Sequence, residues 1–216
     1  QEIKWVKPQD LIDYEFPAAN QPIITAARLP SYYVILGGDN RGEVEQNLLK
    51  MLANGIQLMQ LRTKEIAKVE LQAMYKDLYP LCQQAGAALL VNSDIQNLLA
   101  FEGDGIHLTS RHLLALEQRP DVVGWVSASC HSRDELLHAQ AIGVDFAVLA
   151  PVNKTRSHPG AMPLGWSAFA DLVAGVNIPV YALGGMQLDD LAQANQAGAQ
   201  GIAGISAFIE VLTFVS

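Results

Sequence analysis

The 216-residue sequence predicts an α/β protein, a compact (β/α)8 TIM barrel with an N-terminal arm. Three observations lead there. From about Tyr32 onward, short β-rich runs alternate with stretches of helical periodicity, the pattern of βα units around a parallel sheet. The alternation repeats eight times, which favours a closed barrel over a doubly wound sheet. Polar, cationic and glycine residues gather at the ends of the runs, where such a barrel has its open mouth.

The expected strands are Tyr32–Leu36, Leu58–Arg62, Ala88–Ser93, Gly105–Ser110, Gly124–Cys130, Phe146–Val152, Val180–Gly184 and Gly201–Ile205, each followed by a helix candidate or a short connection. Three helix candidates run into Ala53-Asn54-Gly55, Gln84-Ala85-Gly86 and Gln196-Ala197-Gly198-Ala199, which puts glycine just past a helix end, where a left-handed cap is needed. Residues 31–216 form this barrel unit. Residues 1–30 stand outside the rhythm: Trp5-Val6-Lys7-Pro8 reads as a strand-like piece, followed by a turn and an amphipathic segment that Leu29-Pro30 ends.

Composition narrows the function classes. With 50% hydrophobic and 17% charged residues, the chain can bury one single-domain core plus an appendage. A formal net charge of -8 argues against general affinity for nucleic acid or an anionic membrane, while leaving room for a local basic pocket. Cys82 and Cys130 lie apart without metal-type spacing, so neither a disulfide framework nor a zinc site is expected, and a reducing cytoplasm is the expected location. No apolar run reaches the roughly 18 residues of a membrane span. Gln1-Glu2-Ile3-Lys4 is no signal peptide, and a start without Met reads as a piece of a longer chain. Hydrophobic barrel helices also leave a homodimer open.

The candidate chemistry sits at the strand ends. Alternation puts Gln60, Arg62 and Lys64 on one face, with Met59 and Leu61 turned to the helices. Arg62 offers a planar fork for phosphate oxygens and Lys64 a flexible point charge, while Asn92 adds an amide able to read a heterocycle. On the fifth strand Ser127, Ser129 and His131 share a face, opposite Ala128 and Cys130, so a Cys130–His131 nucleophilic pair is not expected. His131 is the candidate for proton transfer, because its ordinary pKa lies near 6.5. His107 is expected to fill the barrel interior. Gly184-Gly185 and Ile205-Ser206, after the last two strands, occupy the place where barrels often hold a phosphate. The 151–160 loop, bearing Thr155, Ser157 and His158, is a hydroxyl-rich cationic flap, a second phosphate arm or a solvated connector.

Several of these segments together resemble the thiamin-phosphate synthase and TenI superfamily across about 31–210. They are Gln60-Leu61-Arg62-Thr63-Lys64, Val91-Asn92, Asp104-Gly105-Ile106-His107-Leu108, Ser129-Cys130-His131, Leu183-Gly184-Gly185-Met186 and Ile205-Ser206-Ala207. The resemblance implies a phosphorylated small-molecule heterocycle as ligand. In the synthase, the Gln-Leu-Arg-x-Lys and Asn positions hold a pyrimidine diphosphate, the loop Thr, the glycines and the terminal Ser hold a thiazole phosphate, and magnesium-bound pyrophosphate departs. The TenI branch is a metal-independent thiazole tautomerase using the histidine of Ser-x-His, here His131, as acid and base.

Departures from the synthase pattern shape the expectation. Ser93 and His112 stand where the synthase has its two magnesium-binding acids, and His158 replaces a loop lysine. Magnesium prefers hard oxygen donors, so the sequence points to no resident cofactor, leaves magnesium open with both acidic positions replaced, and favours tautomerase-type chemistry ahead of magnesium-dependent synthesis. The expected assignment is His131 as acid and base, Gln60, Arg62, Lys64, Asn92, Ser129, Thr155, Ser157 and His158 around the substrate, and Gly184, Gly185, Ile205 and Ser206 at its phosphate. Separately, Trp5-Val6-Lys7-Pro8-Gln9-Asp10-Leu11 and Phe16-Pro17-Ala18-Ala19-Asn20 resemble the closing segment of MutT-type Nudix hydrolases, without the catalytic box. That resemblance implies that residues 1–30 are the tail of a Nudix-like domain upstream in the same chain, with the barrel as its ligand-binding accessory domain; the other readings of 1–30 are a linker or an ordinary arm or cap on the barrel.

Overall fold

Eight parallel strands form, in the order of the sequence, and the last pairs with the first to close the barrel. The computed structural model describes residues 3–63, 68–92, 103–155, 160, 162–205 and 208. The strands are β1 (Tyr32–Leu36), β2 (Leu58–Leu61), β3 (Ala88–Val91), β4 (Gly105–Leu108), β5 (Trp125–Cys130), β6 (Phe146–Leu149), β7 (Val180–Leu183) and β8 (Gly201–Gly204). Helices α1 (Gln21–Arg28), α2 (Arg41–Ala53), α3 (Lys68–Gln84), α4 (Ser110–Leu114), α5 (Arg133–Ala141), α6 (Gly165–Val173) and α7 (Leu191–Gln196) accompany them. The predicted (β/α)8 barrel is the observed fold.

Strand alternation divides the core in two. Val34, Leu36, Met59, Leu61, Leu89, Val91, Val126, Ala128, Ala147 and Leu149 face outward and pack under the helices with Val44, Leu48, Met74 and Phe169. Tyr33, Leu58, Leu90, Phe146, Val148, Tyr181 and Ala203 face inward. Phe146 meets Tyr33 edge-on at 5.3 Å between centroids and Tyr181 at 5.7 Å, so aromatic rings fill the middle of the barrel. Gly55, Gly86 and Gly198 adopt φ values of 73°, 67° and 87°, the left-handed cap that their places after α2, α3 and α7 require.

Most ladders stop short of the polar residues that the sequence assigns to strand ends. Arg62, Asn92, Thr109, Ala150, Gly184 and Ile205 all lie beyond them. Thr109 shows why: its Oγ1 accepts the His112 N–H at 3.2 Å, which caps α4 and ends the extended run. Ser132 does the same for α5, accepting Glu135 N–H at 3.2 Å.

The N-terminal end of the barrel is sealed by chain that precedes β1. Leu29 joins the inner cluster, Thr25 is buried, and Gln200 Nε2 donates to the carbonyls of Ala26 and Leu29 at 3.0 and 3.1 Å. Tyr181 donates to Pro30 O, and the Arg28 guanidinium lies 4.7 Å over the Trp125 ring. The strand-like reading of Trp5–Pro8 is corrected, since these residues form no ladder and lead into a 3-10 turn at Pro8–Asp13. A closed barrel offers no free edge for another strand to join. Among the described residues no helix is long and apolar enough to cross a membrane.

Candidate functional site

The C-terminal mouth of the barrel gathers the predicted residues that the structure describes. Gln60, the last inward-facing residue of β2, is 2% exposed, and its Oε1 accepts from Asn92 Nδ2 at 3.1 Å. Backbone bonds fix the same rim: Arg62 N–H donates to Leu36 O at 2.9 Å and Asn92 N–H to Leu61 O at 3.0 Å. Arg62 is half-buried, and its charge reaches the interior strongly enough to act on His107.

His107 is the hub of a polar group that sequence reasoning missed, having assigned it only to filling the interior. It is 1% exposed. Its Nδ1 lies 2.7 Å from Ser127 Oγ and 3.1 Å from the Tyr33 hydroxyl, and its Nε2 lies 2.8 Å from Ser129 Oγ. Burial, with a smaller effect from the Arg62 charge, pushes its pKa down to about 3, so the ring is neutral in ordinary buffers. The signal was present in the inward parity of Tyr33, His107, Ser127 and Ser129. What was lacking was the registry that pairs His107 with Ser127.

His131 lies one residue beyond β5 and is exposed at the rim. Its backbone N–H donates to Glu135 Oε2 at 2.8 Å, and its ring Nδ1 lies 2.9 Å from Ala150 O. A carbonyl only accepts, so Nδ1 carries a ring hydrogen, and in the neutral ring the lone pair falls on Nε2. The i and i+4 bond between His131 and Glu135 follows from the capped start of α5, which the Ser132-x-x-Glu135 spacing encodes. Cys130 points the other way, fully buried, its thiol pushed up to about 12 by burial and by the Glu135 charge.

Gly184 and Gly185 are packed against the loop after β6. Val152 N–H donates to Leu183 O at 2.8 Å and Asn153 N–H to Gly184 O at 2.9 Å. A Cβ on Gly184 would lie 2.8 Å from Pro151 Cα, and one on Gly185 2.3 Å from Lys154 O, with φ values of 102° and 66°. The seating of this loop thus requires both glycines by itself. Thr155 follows half-buried, and Ile205 is exposed beyond β8. Lys64, Ser157, His158 and Ser206 lie outside the described residues, as does Ser93. Among the described residues, His112 Nδ1, at the other position where the synthase pattern has an acid, is buried without a hydrogen-bond partner, and so is the Thr63 hydroxyl.

The arrangement provides a neutral, hydrogen-bonded interior, a half-buried cation, a fixed imidazole at the rim and a glycine-lined loop across the mouth. The family described as thiamine monophosphate synthase (TMP-TENI) matches residues 31–208. A thiamine-phosphate synthase of Levilactobacillus brevis is 32% identical over 187 residues, covering 82% of this chain and 86% of that protein. An Aquifex aeolicus protein, provisionally named thiamine-phosphate synthase 2, is 37% identical over 186 residues, covering 84% of this chain and 99% of that protein. Among solved structures, the thiamine phosphate pyrophosphorylase of Pyrococcus furiosus superposes with a TM-score of 0.70 at 26% identity, covering 89% of this chain and 90% of that one. With the closed barrel and a family match that spans all eight strands, the chain belongs to the thiamine monophosphate synthase family.

Proposed function

We propose that the barrel binds a thiazole phosphate of thiamin metabolism and moves a proton on it by metal-independent acid and base chemistry at His131. One observation carries the proposal: the bond from Nδ1 to Ala150 O places the lone pair of the neutral His131 ring on Nε2 at the rim. Nε2 takes a proton from one atom of the bound heterocycle and, as imidazolium, returns it to another, so the ligand changes tautomer and the enzyme is restored. The family's names support the ligand class, since its members include thiamine-phosphate synthases.

Magnesium fits this donor set poorly. At one of the two positions in question, His112 brings an imidazole with a buried nitrogen in place of a carboxylate, and Ser93 offers only a hydroxyl at the other. The proposed chemistry needs one well-placed group, whereas pyrophosphate departure needs several charges. Calorimetric titration with thiazole phosphate and with a pyrimidine diphosphate analogue, each with and without magnesium, tests this. Binding of the thiazole compound indifferent to magnesium is the expected result. Magnesium-dependent binding of the pyrimidine compound would restore the synthase reaction instead.

The exposed arm favours one other role. Ile3 and Trp5 are 88% and 96% exposed on a segment that precedes the family match, which suits a ligand-binding accessory barrel joined to a MutT-type hydrolase. Ligand binding without any turnover would select that role.

A further inference from the structure

His131 is exposed, so hydrogen bonds rather than packing decide where its ring sits. Strand geometry leaves its backbone N–H in need of a partner. Along β5, alternate residues bond alternate neighbours: Trp125 N–H donates to Asp104 O ahead of β4, while Cys130 O accepts Ala150 N–H beyond β6. The Trp125 spacing would send His131 N–H to Ser110 O, but β4 ends at Leu108 and Ser110 opens α4. Glu135 takes the place of the missing strand, its Oε2 accepting the His131 N–H at 2.8 Å. From the other side, Ala150 O accepts from the ring Nδ1 at 2.9 Å. Resting on the proton-transfer reading of His131, we infer that Glu135 is a positioning residue, whose bond to the His131 N–H sets the ring where Nδ1 meets Ala150 O and Nε2 is presented at the rim. Glu135 acts through His131 rather than on the ligand.

The carboxylate is itself fixed. Glu135 N–H donates to Ser132 Oγ at 3.2 Å, and Leu136 beside it is fully buried, so the side chain springs from an anchored helix turn. Other acidic side chains at the starts of elements show what length the bond requires. Glu43 of α2 also reaches four residues back, to Asp39 N–H at 2.9 Å. Asp190, one methylene shorter, reaches three back, to Gln187 N–H at 2.8 Å. An aspartate at 135 therefore keeps the charge at the start of α5 and loses the bond, whereas a glutamine keeps an acceptor oxygen at full reach and loses the charge. The cap on α2 is the same device with an exposed aspartate, Asp39, in the place of the histidine, and it serves as the control.

The test sets reach against charge. Nitrogen-15 spectra of the histidine-labelled, unliganded protein are recorded at a pH of about 8.5, above the ordinary histidine range, with the His131 signals assigned by their loss in His131→Gln. Wild type and Glu135→Gln are expected to keep the ring hydrogen on Nδ1, and Glu135→Asp is expected to move toward the mixed tautomers of a free imidazole. Glu43→Asp, the same loss of a cap on α2, is expected to leave the His131 signals unchanged. With thiazole phosphate as substrate, kcat for tautomer interconversion is expected to fall roughly 10- to 100-fold in Glu135→Asp while KM stays within about 3-fold, the mark of a base moved out of line rather than of lost binding. Glu135→Gln is expected to recover most of that loss.

An unchanged kcat in Glu135→Asp overturns the inference, as does a ring that keeps its hydrogen on Nδ1 in that variant. Activity lost in Glu135→Gln and kept in Glu135→Asp also overturns it, because the charge and not the bond would then be at work. If the wild type shows no turnover, the function proposed above fails, and the nitrogen-15 comparison still decides whether Glu135 sets the ring.

Discussion

Two histidines at this mouth are held in opposite ways, and that difference assigns their work. His131 is exposed, with its ring hydrogen committed to Ala150 O, so its other nitrogen is available for proton transfer. His131→Ala is expected to abolish turnover while ligand affinity stays within a few-fold; retained turnover would end the acid and base proposal. His107 is buried and bonded at both nitrogens, with its pKa pushed down to about 3. Its unfolded-state pKa is near 6.5, so between these values the unfolded chain binds the extra proton. The stability contributed by neutral His107 is fully present above pH of about 6.5 and is lost as pH falls toward about 3. Chemical denaturation at several pH values is expected to show wild type losing stability on acidification more steeply than His107→Gln. Parallel losses would mean that the ring is not held neutral by burial.

At the scale of elements, the strands were legible because each is a short apolar run whose alternation sorts cleanly between helix layer and interior, as Met59, Gln60 and Leu61 do on β2. Helix ends were legible where a left-handed residue was required, as at Gly55. Strand ends were not, because whether Thr109 extends β4 or caps α4 depends on where His112 N–H comes to lie. The interior hub was hidden for a related reason: Tyr33 is 74 residues from His107, and only barrel closure brings β1 and β4 together across the interior. Likewise Asp145, just before β6, accepts Val126 N–H at 2.7 Å and an Arg119 N–H at 2.8 Å, tying β5 to β6 at the floor. Asp145→Ala is expected to cost about 1–3 kcal/mol, measured by denaturation. At the other end of the barrel, Gly185→Ala would drive a Cβ into Lys154 O at a φ of 66°. We expect this to cost about 1–3 kcal/mol and to shift the 151–154 loop, read as a fall in melting temperature together with weaker ligand binding. A melting curve equal to wild type would show that the loop moves freely and that the glycine is kept for another reason.

For the whole molecule, the chain ahead of β1 divides by what it covers. The 3-10 turn at Pro8–Asp13 buries nothing, and Trp5 is almost wholly exposed. The segment from Gln21 to Pro30, by contrast, is the floor of the barrel: Leu29 enters the inner cluster, Arg28 covers Trp125, and Gln200 and Tyr181 donate to its carbonyls. Those contacts together are worth roughly 4–6 kcal/mol, counting one buried leucine, one cation–π contact and the hydrogen bonds. Against a typical domain stability of about 5–15 kcal/mol, that is a large share. Removing residues 1–17 is therefore expected to leave the melting temperature within about 2 °C of the full chain. Removal of residues 1–30 is expected to lower it by about 10 °C or more, because a barrel of this size loses roughly 2–4 °C per kcal/mol and Tyr181 and Trp125 would be opened to water. The same truncation should leave the mouth intact, since Gln60, His107, Ser129 and His131 all lie on elements after it. At a temperature where the shortened barrel is still folded, its ligand affinity should match the full chain. Equal melting of the two truncated forms would show that α1 rests on the barrel without closing it. Lost affinity in a still-folded barrel would instead show that floor and mouth are coupled through the interior ring stack that links Tyr181 and Phe146 to Tyr33.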